Sequence, residues 1–149
     1  YGKLILQRRY NELCRLLSMH VNKDDYVNAL RCHGIKKLRF YIHAYQSYIW
    51  NKLAFAKKSG EIPIVGFLTE YKDVINMLKE DNININDFIF RDFPELSSEG
   101  GDRKLWIKPE NFDYRWEDDE IFKNKYKCIL SFDLVKGSYA TIVVKTLFN

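Results

Sequence analysis

Sulfur and histidine are scarce in this chain, and their placement excludes several chemistries. The three cysteines, Cys14, Cys32 and Cys128, lie far apart with no CxxC pair. The three histidines, His20, His33 and His43, show no metal-ligand spacing. Neither a zinc site nor a disulfide framework is supported, and reduced, unligated thiols are expected. No apolar run approaches the roughly 18 residues of a membrane span. A signal-peptide pattern is also missing, so a cytoplasmic protein is expected. GxGxxG, GxxxxGK[ST], HExxH and GxSxG do not occur, which removes the common signatures of dinucleotide, phosphate-loop, zinc-protease and serine-hydrolase sites. Gly100-Gly101 is the nearest glycine-rich feature and reads as a turn.

What is present is a chain of 149 residues, 46% apolar and 30% charged, long enough to bury a real core. It begins with Tyr1 and is expected to be the later part of a longer polypeptide. The net charge of +4 is compatible with a nucleic-acid partner without being diagnostic. That charge is segregated: "LQRRYNELCR" and "GIKKLRF" are basic, "WEDDE" is acidic. Glu117 to Glu120 read as a solvated acidic loop.

The apolar spacing predicts helices over 4–19, over "NKDDYVNALRCHG" and over 35–58. Asn22 is expected to cap the second, and Gly34 and Gly60 to stop the second and third. "EIPIVGFL" reads as a short extended segment, followed by a helix from Thr69 and a short turn capped by Asn86. Residues 93–103, "FPELSSEGGDR", have the composition of a loop. "KLWIK" and "YKCILSFDL" read as strands joined by "NFDYRWEDDEIFKNK". The tail "VKGSYATIVVKTLFN" fits either a strand or a helix starting at Ser138. Helices first and strands later give an α+β fold, with a small sheet in the last third.

The segment "HAYQSYIWN", 43–51, is too polar for a core helix and too poor in charge for a surface one. On a helix, His43, Ser47 and Asn51 stack at i, i+4, i+8. Tyr45 and Ile49 continue the apolar stripe through Leu38, Ile42 and Leu53.

Three segments together, "RFYIHAYQSYIWNKL", "IPIVGF" followed by "FPELSSEGGDR", and "LSFDLVKGSYAT" with "VVK", resemble the C-terminal part of the TruD family of tRNA pseudouridine synthases. The resemblance runs from about Tyr26 to the end. It implies an isomerase acting on uridine in tRNA or another structured RNA, which detaches the base and rejoins it through carbon. It implies a catalytic aspartate and no cofactor or metal. That aspartate belongs to a motif resembling G-N-K-D-x-x-A-x-T-x-Q. "VNKDDYVNAL" shares Asn22, Lys23 and Asp24 with it but lacks the continuation, so the catalytic residue is expected outside this chain.

The resemblance therefore implies supporting residues only. Tyr139 is the first candidate for contact with the target uridine, with Ser138 and Gly137 shaping its turn. His43, Gln46, Ser47 and Asn51 match the family helix, and some of them are expected to line a cleft. Arg103 matches an arginine after the family's glycine turn. Arg8, Arg9, Lys36, Lys37 and Arg39 are expected to meet phosphate, because backbone charge dominates RNA affinity. Residues 1–25 are expected to be the end of an inserted domain, and 26–149 the C-terminal part of the catalytic domain, with the missing N-terminal half as partner and no membrane association. A split-enzyme subunit and a non-catalytic RNA-binding module remain as alternatives.

Overall fold

A single left-handed residue divides the first helical stretch. The computed structural model describes residues 1–57 and 60–148. In place of one helix over 4–19 it has α1 (Gly2–Leu6) and α2 (Tyr10–Leu16). The break is at Arg8, with φ 58°, a conformation uncommon outside glycine. Its side chain offsets that cost. The guanidinium donates to the carbonyls of Ile5 and Leu6, both at 3.1 Å, and to those of Asp87 at 3.1 Å and Ile89 at 2.8 Å. It also lies over the Phe90 ring, 4.1 Å from the centroid.

The next helix, α3 (Tyr26–His33), is capped by Asp25, whose carboxylate accepts from the Asn28 amide at 2.9 Å. Asp25, not Asn22, fills that role because Lys23 and Asp24 adopt positive φ and turn the chain first. The long helix α4 (Ile35–Ala56) follows Gly34, whose φ of 112° lets the chain leave one helix and start another. The expected end of α4 at Lys58 lies outside the described residues.

Strand β1 (Glu61–Ile64) pairs antiparallel with β2 (Gly101–Lys104), Ile62 facing Arg103. Between them lies α5 (Lys72–Glu80). It starts three residues after Thr69 because that hydroxyl instead accepts from the Gly66 amide at 2.9 Å. The short turn Ile85–Phe88 is capped by Asn84, not Asn86, in a reciprocal box with Asp87. The loop-like 93–103 stretch contains the turn Pro94–Leu96 and ends inside β2. "KLWIK" is therefore not a strand: β2 stops at Lys104.

Every buried apolar side chain among the described residues falls within Tyr1–Leu105, one of two compact units. Helix α4 is its spine, with α1, α3, α5 and β1 packed on it. Leu38, Ile42, Ile49 and Leu53 form its inner face, meeting Phe88, Phe90 and Phe93 in the same core cluster. The approach of α1 is tight: a Cβ at Gly2 would stand 2.1 Å from the Tyr41 carbonyl oxygen.

The second unit begins at Trp106. It holds the antiparallel hairpin β3 (Glu110–Asp118) and β4 (Tyr126–Asp133), then α6 (Ala140–Leu147). The presumed connector after "KLWIK" is thus largely a strand, and the ambiguous tail is a helix. Tyr114 faces Leu130 and Trp116 faces Cys128, while Phe112 stacks on Phe132 at 5.9 Å. The other hairpin face carries Arg115, Glu117 and Lys127 in ion pairs. None of this unit's described residues is buried. The α+β class holds, with two two-stranded sheets among the described residues.

Candidate functional site

One open recess of about 310 Å³ gathers five of the residues that the sequence singles out. His43, Gln46, Ser47, Trp50 and Asn51 of α4 make one wall. Ile64, Ser98, Gly100 and Arg103 make the other. His43, Ser47 and Asn51 are thus aligned along one exposed face of α4 that also borders the recess.

The wall opposite α4 is fixed by close backbone contact. Phe67 N–H donates to the Ser98 carbonyl at 2.8 Å, and Leu68 N–H to that of Glu99 at 3.1 Å. At this crossing a Cβ on Gly66 would stand 2.0 Å from the Gly100 nitrogen, and one on Gly100 2.6 Å from the Ile64 oxygen. Gly100 also has φ 90°. Only glycine fits at either position.

Gln46 belongs to the frame. Among the described residues it is the buried polar side chain, 4% exposed. Its amide donates to the Val65 carbonyl at 2.6 Å and to Ser98 Oγ at 2.9 Å, clamping α4 to the opposite wall. Trp50 does the same through its indole N–H, which donates to the Ile62 carbonyl at 3.2 Å. Arg103, the strand partner of Ile62, lies over the Trp50 ring with its guanidinium 5.3 Å from the centroid. His43, Ser47 and Asn51 are exposed at the mouth.

No carboxylate lines this recess. The neighbouring depression, which shares Gly100, is the reverse: Glu61, Glu70, Glu99 and Asp102 line it. One side of the β1–β2 ribbon thus presents Arg103 and no lining carboxylate, and the other presents four carboxylates.

The expected phosphate ligands differ in availability. Lys36, Lys37 and Arg39 are exposed in the first turns of α4, where the helix's positive end disfavours cations. Arg39 donates to the Glu95 carbonyl at 2.8 Å. Arg9 is paired with Glu12. Arg8 has both terminal nitrogens on backbone carbonyls, those of Ile5, Leu6, Asp87 and Ile89. Asp24 accepts from the Tyr26 hydroxyl at 2.8 Å in the turn before α3, a helix-start role. Among the described residues no cluster of His, Cys, Asp or Glu could hold a metal ion.

In the second unit, Gly137 has φ 91° and Ser138 closes a turn, its hydroxyl donating to the Val135 carbonyl at 2.7 Å. Tyr139 follows as the exposed N-cap residue of α6. The sequence argument missed Trp50, Ile64, Ser98 and Gly100 as lining residues. Trp50 lies four residues after Gln46 on the same flank of α4, which is the one signal that pointed to it.

Comparison with known proteins places these features. The family model described as "tRNA pseudouridine synthase D (TruD)" matches residues 66–147. The chain belongs to the TruD family. The Methanocaldococcus jannaschii protein named Probable tRNA pseudouridine synthase D 2 is 30% identical, the match covering 84% of this chain and 39% of that protein. Its Methanopyrus kandleri counterpart is 29% identical, over 84% of this chain and 36% of the relative. A crystal structure of a TruD protein from Methanosarcina mazei aligns with TM-score 0.64 at 22% identity, covering 95% of this chain and 44% of that one; this likeness speaks for the fold. The chain spans about two fifths of the length of the TruD relatives it matches.

Among the described residues no helix is long and apolar enough to cross a membrane.

Proposed function

We propose that the chain is the C-terminal part of a tRNA pseudouridine synthase, an RNA-modifying isomerase acting in the cytoplasm. The observation that carries this reading is the TruD family match over residues 66–147, joined to an acid-free recess built from the "HAYQSYIWN" helix. The reaction needs a carboxylate at the sugar and base of an unstacked uridine. No carboxylate in the recess is placed for that, and Asp24 is engaged in a turn. The aspartate comes from the remaining portion of the enzyme, in cis or as a separate chain.

This chain's residues bind and orient. Lys36, Lys37, Arg39 and Arg9 supply positive charge for the RNA backbone. His43, Ser47, Asn51 and Arg103 offer hydrogen-bond donors, and Trp50 an aromatic surface, at the mouth and inside the recess. Tyr139, on the Gly137-Ser138 turn, contacts the target uridine. Residues 1–25 are the end of the family's inserted domain and 26–149 the C-terminal part of the catalytic domain. The packing of Gly2 on α4 couples the two stretches closely.

The remaining portion of the enzyme covers the aromatic face of the β3–β4 hairpin. In support, Tyr114, Trp116 and Tyr126 are 58 to 71% exposed, far more than a sheet in a finished domain leaves bare.

A pseudouridine assay on transcribed tRNA tests the reading. The 149-residue chain alone should give no turnover, and mixing it with the rest of the enzyme should restore it. Turnover by the chain alone would overturn the placement of the nucleophile. RNA binding with no activity under any reconstitution would favour the non-catalytic module.

A further inference from the structure

The outer face of α4 carries more than the recess alone requires. At 100° per residue, Lys36, Phe40, His43, Ser47 and Asn51 fall on one side of the helix, opposite Leu38, Tyr45 and Ile49. The first group is exposed and the second buried. From Lys36 to Asn51 this face runs about 22 Å, at ~1.5 Å per residue. One end carries Lys36, with exposed Lys37 at the flank about a quarter turn away, and the other opens into the recess beside Trp50. Phe40, 69% exposed, stands between them.

A surface for folded protein would be more apolar. One for an acidic peptide would carry cations along its whole length. The observed order is cations, then an exposed ring, then uncharged donors, then an aromatic recess. It matches a strand whose backbone is charged and whose bases are flat.

We propose that this face is a track for single-stranded RNA, in which phosphodiesters sit against Lys36 and Lys37 and a base farther along the same strand enters the recess against Trp50. This rests on the RNA-modifying reading above. The base held here flanks the isomerised uridine and is distinct from it, because the recess walls carry no carboxylate. The Ile62 carbonyl fixes the indole in plane, and Arg103 on the ring draws the strand inward by charge. Asn51 and Ser47 at the rim bond to whichever base edge is presented. Acceptance should therefore be tolerant of base identity. The acidic depression beyond Gly100 keeps the strand on the α4 side.

Trp50 can report on its own occupancy once Trp106 and Trp116 are replaced by Phe. The W106F/W116F chain, checked for helix content by circular dichroism, is titrated with hexauridylate and hexaadenylate while Trp50 fluorescence and gel mobility are followed. Both oligomers are expected to quench Trp50 saturably. Ser47→Leu, which narrows the mouth, should weaken quenching at least tenfold while helix content is retained. The pair Lys36→Gln and Lys37→Gln should weaken both oligomers alike. It should also reduce the slope of log affinity against log salt by about 1.4, at ~0.7 per phosphate on a single strand. Quenching by hexauridylate alone would make this the reacting-base site and overturn the flanking assignment. A mobility shift with silent Trp50 would overturn the track while leaving the RNA reading intact. Absence of both signals would count against both.

Discussion

Gln46 shows how a residue can resemble a ligand group and act as a beam. Its two donated bonds join α4 to the wall at Val65 and Ser98, in the driest part of the site. Gln46→Leu keeps the bulk and strands a buried carbonyl, so stability should fall by about 1–3 kcal/mol in denaturant melts. An unchanged midpoint would show that the recess is held some other way. Asp81 is a second such point. It accepts from Lys3 Nζ at 2.7 Å and from the Tyr45 hydroxyl at 2.8 Å. The Lys3 bond, with Tyr45 assisting against partial burial, holds its carboxyl below the ordinary value of 3.8. A carboxyl lowered on folding contributes fully above that ordinary value and loses its contribution as pH falls through the lower, folded one. Asp81→Asn should therefore cost about 1–2 kcal/mol at pH 7, the pair being partly exposed. Wild-type and variant stabilities should converge below pH 4; parallel curves across pH 2–7 would refute the assignment. Tyr45 itself is pushed up by burial and then by Asp81, so its hydroxyl stays a donor throughout.

At the scale of elements, the glycine crossing decides whether the site exists. A methyl at Gly66 or Gly100 would overlap backbone atoms, which cannot swing aside as a side chain can. Gly66→Ala and Gly100→Ala should each destabilise by roughly 1–3 kcal/mol and weaken RNA binding together with the β1–β2 pairing, read by thermal melts and filter binding. A stable Gly66→Ala protein with intact binding would contradict the crossing. Helix α4 was legible because its 3.6-residue repeat runs through Leu38, Ile42, Ile49 and Leu53 without interruption. The Arg8 break was not, since its cause is the carbonyls of Asp87 and Ile89, some eighty positions away. Strand β3 was hidden by its charges. Phe112, Tyr114 and Trp116 alternate at period two, yet Asp113, Arg115 and Glu117 between them give the composition of a loop. In the same way, the stripe of the recess could be read from "HAYQSYIWN", whereas the opposing wall depends on 61–64 pairing with 101–104.

For the whole molecule, the contrast is between a unit with a core and a unit without one. Buried side chains from Ile5 to Leu96 should give the amides of α4 and its neighbours strong protection from hydrogen exchange. Those of β3 and β4, whose side chains reach no buried environment, should exchange orders of magnitude faster in the isolated chain. If the proposed N-terminal portion covers the hairpin, adding it should slow them selectively. Uniform protection across 1–148 in the isolated chain would contradict this division.

The bare hairpin also has a meaning for synthesis. Translation delivers residues 1–105 before 106–148, and domains made first fold first. The aromatic strand thus leaves the ribosome after the spine helix and the residues of its core. Reversing that order in a circular permutant that begins at Trp106 should shift expression towards aggregates, read as the soluble fraction on lysis.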